Sequence, residues 1–519
     1  MPNRRPWPAL LLLLLLGAST YAFAKPPVFS INDFGAVADG KVDATLAIDR
    51  AIEAASAAGG GIVRIPAGKF LTGAIELKSN ITLDLDRDAI LLMSTNPAHY
   101  PVIRTRWEGI ECYNYSGLIF ARDASNVSIS GSGTIDGQGD KWWVWKKSEA
   151  PARTRLRELG ATTDDPKLRV FGRPKDALRP NLVQFIRCKN VTIQGITLRN
   201  SPMWTLHPLD CEGVICRDLT IGGSGPNTDG IDPESCRNVL IEGCKIDTGD
   251  DCIAIKSGRD NDGRRTNIHC ENIAIRKCEL RRGAGGIVIG SETSGGIRNI
   301  SAADCEISGV GRAIHIKTQR GRGGEISGIE FSKLKLSDIR EAAIDLDLEY
   351  NTTSAADLGP TTPILKDIIL REITCDRARQ AIRIRGLAEA PITGLALSDL
   401  QFKEADKGIA IRHASKFKID RLDLTSKTGV PFALEQVDHG AIEFVQIQKT
   451  VAGSAVITLK NASDLTLRRT MCPKDAETFI SLSGSHTQQI KLIDCDPRGA
   501  KMPVEKKADL PADAVITIE

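Results

Sequence analysis

The chain has 519 residues, 41% of them apolar, and a formal net charge of +3. So slight a charge excludes a general affinity for nucleic acid, and recognition of any charged ligand must be local. No stretch beyond the first 24 residues is apolar for long enough to span a membrane.

In chain order, Arg4 and Arg5, the apolar run from Ala9 to Leu16, and Ala22-Phe23-Ala24 read as a secretory signal. Cleavage is expected after Ala24, with a secreted or periplasmic address; a buried N-terminal helix is the alternative. Residues 43–57 read as an amphipathic helix with Asp43 as its N-cap and Gly59-Gly60-Gly61 as its stop. It is placed to plug the first turn of whatever follows. Thirteen cysteines are an odd number, so at least one is unpaired. Several recur at repeating positions, which suits stacked buried thiols as well as bridges.

From about residue 125 one pattern recurs: a polar residue, Asn or Gly, then apolar, any, apolar. It reads Ser125-Asn126-Val127-Ser128-Ile129, Lys189-Asn190-Val191-Thr192-Ile193, Arg237-Asn238-Val239-Leu240-Ile241 and Glu271-Asn272-Ile273-Ala274-Ile275. Weaker copies lie at Gly328-Ile329, Asp367-Ile368 and Gly394-Leu395. Cys188, Cys211, Cys236 and Cys270 stand just before it, 23, 25 and 34 residues apart. Such a period, with apolar residues at every second position, marks a solenoid of strands whose coils share one core. The leucine-rich frame is absent. The prediction is an all-β, right-handed parallel β-helix over residues 25–430 with an N-terminal capping helix. Residues 140–180 lack the repeat and read as a long loop overhanging the binding face. Residues 431–519 keep a weaker alternation and read as further coils or a small cap.

A second strand series lies between these copies, from Trp204-Thr205-Leu206-His207 to Gly408-Ile409-Ala410-Ile411-Arg412. Aligned on the inward Leu or Ile, one outward column is His207, Asp232, Ala254, Val288, His315, Asp345, Arg383. The other is Glu234, Lys256, Gly290, Lys317, Asp347, Arg385, Arg412. This face carries more charge than a solvent-facing sheet needs, and neighbouring coils sit about 4.8 Å apart. Asp229 and Asp251 take one alignment position on adjacent coils, with Asp250 next in the chain. Hydrolysis of a glycosidic bond needs two carboxyl functions in different protonation states, and packed carboxylates provide them. Lys256 and Lys317 would supply positive charge for an acidic sugar, and His207 would bond to the substrate. Solvated turn chemistry and a calcium site are the plainer readings of clustered aspartates.

Asn227-Thr228-Asp229, Gly249-Asp250-Asp251 and Ile316-Lys317 resemble the signature blocks of glycoside hydrolase family 28, the polygalacturonases. Phe34-Gly35-Ala36-Val37-Ala38-Asp39-Gly40, Gly133-Thr134-Ile135-Asp136-Gly137-Gln138-Gly139, Ser201-Pro202-Met203-Trp204-Thr205-Leu206-His207-Pro208 and Ile289-Gly290-Ser291-Glu292 are also similar to that family. The likeness runs over roughly residues 28–430 and is greatest to bacterial exo-acting members. It implies inverting hydrolysis of α-1,4 galacturonosyl links, without cofactor or metal. Asp250 would be the general acid, and Asp229 and Asp251 would hold and deprotonate the water. Lys317, His207, Lys256, His315 and Asn227 would bind substrate. The partner would be pectin or another acidic plant cell-wall polysaccharide, not nucleic acid or membrane, and the protein a monomer. Two positions depart from the family pattern. Ala284 stands where Gly-His-Gly is usual, and His315 where Arg-Ile-Lys is usual. They suggest a shifted substrate, such as a rhamnogalacturonan or a modified galacturonide, or a slower enzyme. A binding protein that kept the groove, and a calcium-dependent lyase, are the competing readings.

Overall fold

The computed structural model describes residues 25–351 and 359–518. The signal expected over residues 1–24 lies outside the described residues. From Val28 onward the chain winds as a right-handed parallel β-helix, its strands stacked in register from coil to coil. Val127 pairs with Val191, then Val214, Val239, Ile273, Ile300, Ile329, Ile368 and Leu395 along one continuous row. All are buried. The residue before each is Asn, Gly or Asp because the backbone turns there through the left-handed region: Asn190 has φ 55°, Asn272 57° and Gly213 72°. The asparagines also bond to one another along the stack, Asn190 Nδ2 donating to Asn126 Oδ1 at 3.0 Å.

The second series stacks as the alignment predicts. Ile253, Ile287, Ile314, Ile344, Ile382 and Ile409 form one inward row. Gly290, Lys317, Asp347, Arg385 and Arg412 form one outward column. The thirteen cysteines are all unpaired, and eleven are buried. Beyond residue 430 the strands Ile457–Arg468, Ala476–Ser483, Gln488–Ile493 and Ala500–Lys506 pair in parallel with what precedes them, as further coils.

Helix α1 (Thr45–Ala57) closes the first coil, with Ile48, Ala51, Ile52 and Ala55 in the common core. It starts two residues later than expected. Asp43 is not its N-cap but accepts from the Thr45 backbone N–H at 2.9 Å, just ahead of it. No described helix is long and apolar enough to cross a membrane.

Residues 140–180 are not the long loop expected. They hold helices α2 (Asp140–Trp143) and α3 (Ala150–Thr162). Ala152, Leu156 and Gly160, four apart, give α3 one buried face. Its partner is an antiparallel hairpin, Val102–Trp107 with Ile110–Tyr115, outside the coil. Trp107, Ile110, Leu156, Phe171, Leu178, Met203 and Trp204 make a second, smaller core there. The hairpin lies across the outward sheet face. Thr105 donates to Gln184 at 3.1 Å, and Arg106 pairs with Glu234 at 3.3 Å.

Candidate active site

Asp229 ends a turn that is held from beneath. The Arg179 guanidinium, fully buried, donates to Asn227 Oδ1 at 2.8 Å and to the Pro202 and Pro226 carbonyls at 2.9 and 2.7 Å. Asp250 is fixed through its backbone: its carbonyl accepts from Thr248 Oγ1 and from the Ala284 N–H, both at 3.0 Å. Gly285 is required beside it. A Cβ there would meet Val288 Cγ2 at 2.3 Å and Asp251 Oδ1 at 2.7 Å.

These supports bring Asp229, Asp250 and Asp251 together, one oxygen of each lying within 4.8 Å of the others. Asp229 and Asp251 are buried and Asp250 half-buried. Lys317 Nζ donates to Asp251 Oδ2 at 2.7 Å. Lys256 Nζ lies 3.7 Å from Asp229, 3.5 Å from Asp232, 3.5 Å from Glu292 and 4.6 Å above the Trp204 ring. A cation would find its countercharge role already taken by these two ammonium groups. The cluster opens into a cleft of about 240 Å³, also lined by Glu108, Arg157, Asn227, Arg259 and Tyr350.

Burial, then the charges of Asp232 and Asp250, pushes the Asp229 carboxyl well above the ordinary range. Burial, then Asp251, raises Asp250. Burial pushes Asp232 up to about 8 against the pull of Lys256. Glu292 goes the other way: burial raises it, but Lys256, Arg259 and Arg322 together bring it down to about 2. The site thus holds carboxyl groups that keep a proton beside one that does not. That division is what acid–base chemistry on one bond requires.

Two expected ligand residues do not reach the cleft. His207 is fully buried, and its Nδ1 accepts from Asn181 Nδ2 and Gln184 Nε2, both at 2.9 Å. Nε2 therefore carries the proton and donates to Glu234 at 3.0 Å. With both nitrogens engaged, His207 packs edge-on against Trp204, 5.0 Å away. His315 is also buried, packed edge-on against Tyr350, and Lys256 is shared among three carboxylates. Burial, then Lys317 and Arg312, holds the His315 imidazole well below its usual pKa, so it is neutral.

The residues missed are Glu108, Arg157, Arg259 and Tyr350. Arg157 pairs with Glu108 at 2.9 Å, and Arg259 with Glu108 at 3.5 Å and Glu292 at 3.3 Å. This chain of ion pairs ties the hairpin tip and α3 to the cleft wall. A signal did exist for the hairpin: Glu108-Gly109, both at positive φ, is a two-residue turn.

Residues 172–419 match the family described as glycosyl hydrolases family 28. Residues 28–151 match rhamnogalacturonase A/epimerase, pectate lyase-like. A probable polygalacturonase of Vitis vinifera is 32% identical over 391 residues, 73% of this chain and 74% of its own. The chain belongs to glycoside hydrolase family 28. This member is similar in structure to an exopolygalacturonase from Thermotoga maritima, 37% identical with a TM-score of 0.68, covering 77% of this chain and 91% of that one. The family 28 exopolygalacturonase of Yersinia enterocolitica, 22% identical with a TM-score of 0.62 over 85% of this chain and 78% of that one, shares the fold. The family member is a glycoside hydrolase on a parallel β-helix.

Proposed function

We propose that this glycoside hydrolase removes units from the end of pectic galacturonan chains by acid–base hydrolysis with inversion. The observation that carries the reading is the three-carboxylate cluster between Lys256 and Lys317. Asp250, half-buried and with its carboxyl raised by burial and by Asp251, donates a proton to the leaving oxygen. Asp229 and Asp251 hold the attacking water, and Lys317 receives a sugar carboxylate. Two polygalacturonases at least 30% identical to this chain support the substrate class.

The hairpin supports attack at the chain end. It covers the sheet on the N-terminal side of the carboxylates, which favours a polymer that extends toward the later coils. Carboxyl spacing argues less directly for inversion. Inverting pairs are separated by roughly 6.5–9.5 Å and retaining pairs by about 5–5.5 Å. Oxygens within 4.8 Å are nearer the second range. Inversion rests instead on two carboxyl groups, Asp229 and Asp251, rather than one, being placed to hold water, with Asp251 paired to Lys317.

His315 favours a second substrate reading. A neutral imidazole beneath Tyr350 offers no charge to a sugar carboxylate, as a rhamnogalacturonan-type or modified substrate would tolerate. Secretion after Ala24 and a monomeric state complete the proposal.

The test incubates the protein with polygalacturonate and, separately, rhamnogalacturonan, in chelator. Products are separated by size, and the first-formed anomer is read by NMR. Galacturonate monomer or dimer of inverted configuration is expected. Unsaturated product would show a lyase, a retained anomer would overturn the water-holding roles, and product from rhamnogalacturonan alone would select the second reading.

A further inference from the structure

The column that carries Lys256 and Lys317 does not end at the cleft. It continues coil by coil as Asp347, Arg385 and Arg412, and its neighbour continues from His315 as Asp345 and Arg383. The acids and bases in this continuation are not equally accessible. The side chains of Arg383, Arg385 and Arg412 are 32%, 31% and 38% exposed, whereas those of Asp345, Asp347 and Glu349 are 0%, 3% and 8%. Arg383 Nε donates to Asp345 at 2.9 Å, and Arg385 and Arg412 each donate through one Nη2 to Asp347 and Glu349. Each guanidinium carries five N–H donors, and its buried carboxylate takes one or two of them. The buried acid therefore fixes the fork, while about a third of each arginine side chain stays exposed on the outward sheet face. Arg385 Nε is itself buried with no hydrogen-bond partner. On an ordinary charged surface the acids would share the solvent-facing layer with the bases; here they lie beneath it.

We infer that Arg383, Arg385 and Arg412 form a carboxylate-binding track that holds the uncleaved remainder of an acidic polysaccharide leaving the cleft past Lys317. The track rests on the proposed pectic substrate and adds to it a place for the polymer beyond the bond being cut. Lys317 to Arg412 is three coil steps, roughly 14 Å at the spacing of paired strands. A dimer seated at the carboxylates ends near Lys317, whereas a hexamer lies across all three arginines. The closed side of the groove, under the hairpin, leaves this as the direction in which a long chain can extend.

The test measures affinity by calorimetry, with Asp250→Asn in every protein so that nothing is cleaved. Galacturonate dimer and hexamer are titrated into this protein and into Arg383→Gln, Arg385→Gln and Arg412→Gln, singly and combined. Hexamer affinity should fall about three- to tenfold per substitution, as for partly exposed charge-assisted bonds. Dimer affinity should move less than twofold, and the salt dependence of hexamer binding should flatten in the combined variant. Asp345 and Glu349 keep Arg312 and Arg320 as second partners, but removing Arg385 leaves Asp347 without its ion pair, so Arg385→Gln is also made together with Asp347→Asn. The hexamer loss should persist in that neutral pair with the melting temperature retained. Hexamer bound equally by the combined variant, or not bound before any arginine is changed, overturns the track. Product release from polygalacturonate by the parent protein is measured alongside. No product, with hexamer affinity still dependent on the arginines, rejects the hydrolysis and supports the track.

Discussion

Like charges packed against one another resist joint ionisation, and Asp229, Asp250 and Asp251 are packed in this way. Asp250 binds its proton more tightly in the folded chain than at its ordinary value of 3.8. A carboxyl raised by folding costs stability as pH climbs from its unfolded value toward its folded one, because the native state then holds the extra proton. Asp250→Asn should therefore raise the melting temperature above pH 4 and weaken its fall with pH, while activity drops about 10²–10⁴-fold. Calorimetry across pH and initial rates check both, and an unchanged melting profile would refute the like-charge account. Lys317→Met makes the opposite electrostatic change, since Lys317 pulls Asp250 down and lies 2.7 Å from Asp251. The alkaline limb of the pH–rate profile should move to higher pH. KM should rise roughly ten- to hundredfold, the size of a lost charged hydrogen bond of about 1.5–3 kcal/mol. Much of this was legible in the sequence, because Asp229 and Asp251 share an alignment position and Lys317 follows an inward Ile.

The elements around the cleft were less legible. The coil strands announce themselves by alternation, but the hairpin and α3 occur once, outside any period. Their apolar residues, Trp107, Ile110, Leu156 and Phe171, pack on each other and on Trp204 across long sequence separations. Leu156→Ala should cost about 2–5 kcal/mol within this satellite core. The coil melting temperature should barely move, since the main core is separate. The products should change instead: a loosened roof opens the blocked end of the groove, and single-size product should give way to a spread of sizes on chromatography. Unchanged product sizes would show that the hairpin does not set the mode of attack.

Across the whole molecule, one core runs from α1 to the last coils, and every thiol but Cys112, which lies in the satellite core, packs in or against it. Cys211 Sγ donates to the Phe185 and Leu209 carbonyls, and Cys236 Sγ to those of Pro208 and Glu234. Stability should therefore be independent of reductant. A thiol reagent should reach no more than Cys472 and Cys495, the two half-buried cysteines, in the native protein and all thirteen in denaturant. A shift in melting temperature on reduction would contradict this arrangement.

Taken by itself, the sequence determined the coil, its register and the stacking of the three aspartates with the two lysines. It could do so because strand alternation and the repeated asparagine turn are local features, and stacking them places equivalent residues one above another. The tertiary structure alone decided which outward side chains a ligand can reach. His207 and His315 hold outward positions like Lys317, yet the hairpin's contacts to Gln184 and Glu234 close over the first, and Tyr350 packs on the second. Accessibility at an outward position depends on what segments distant in the chain lay across it, and their docking follows no period.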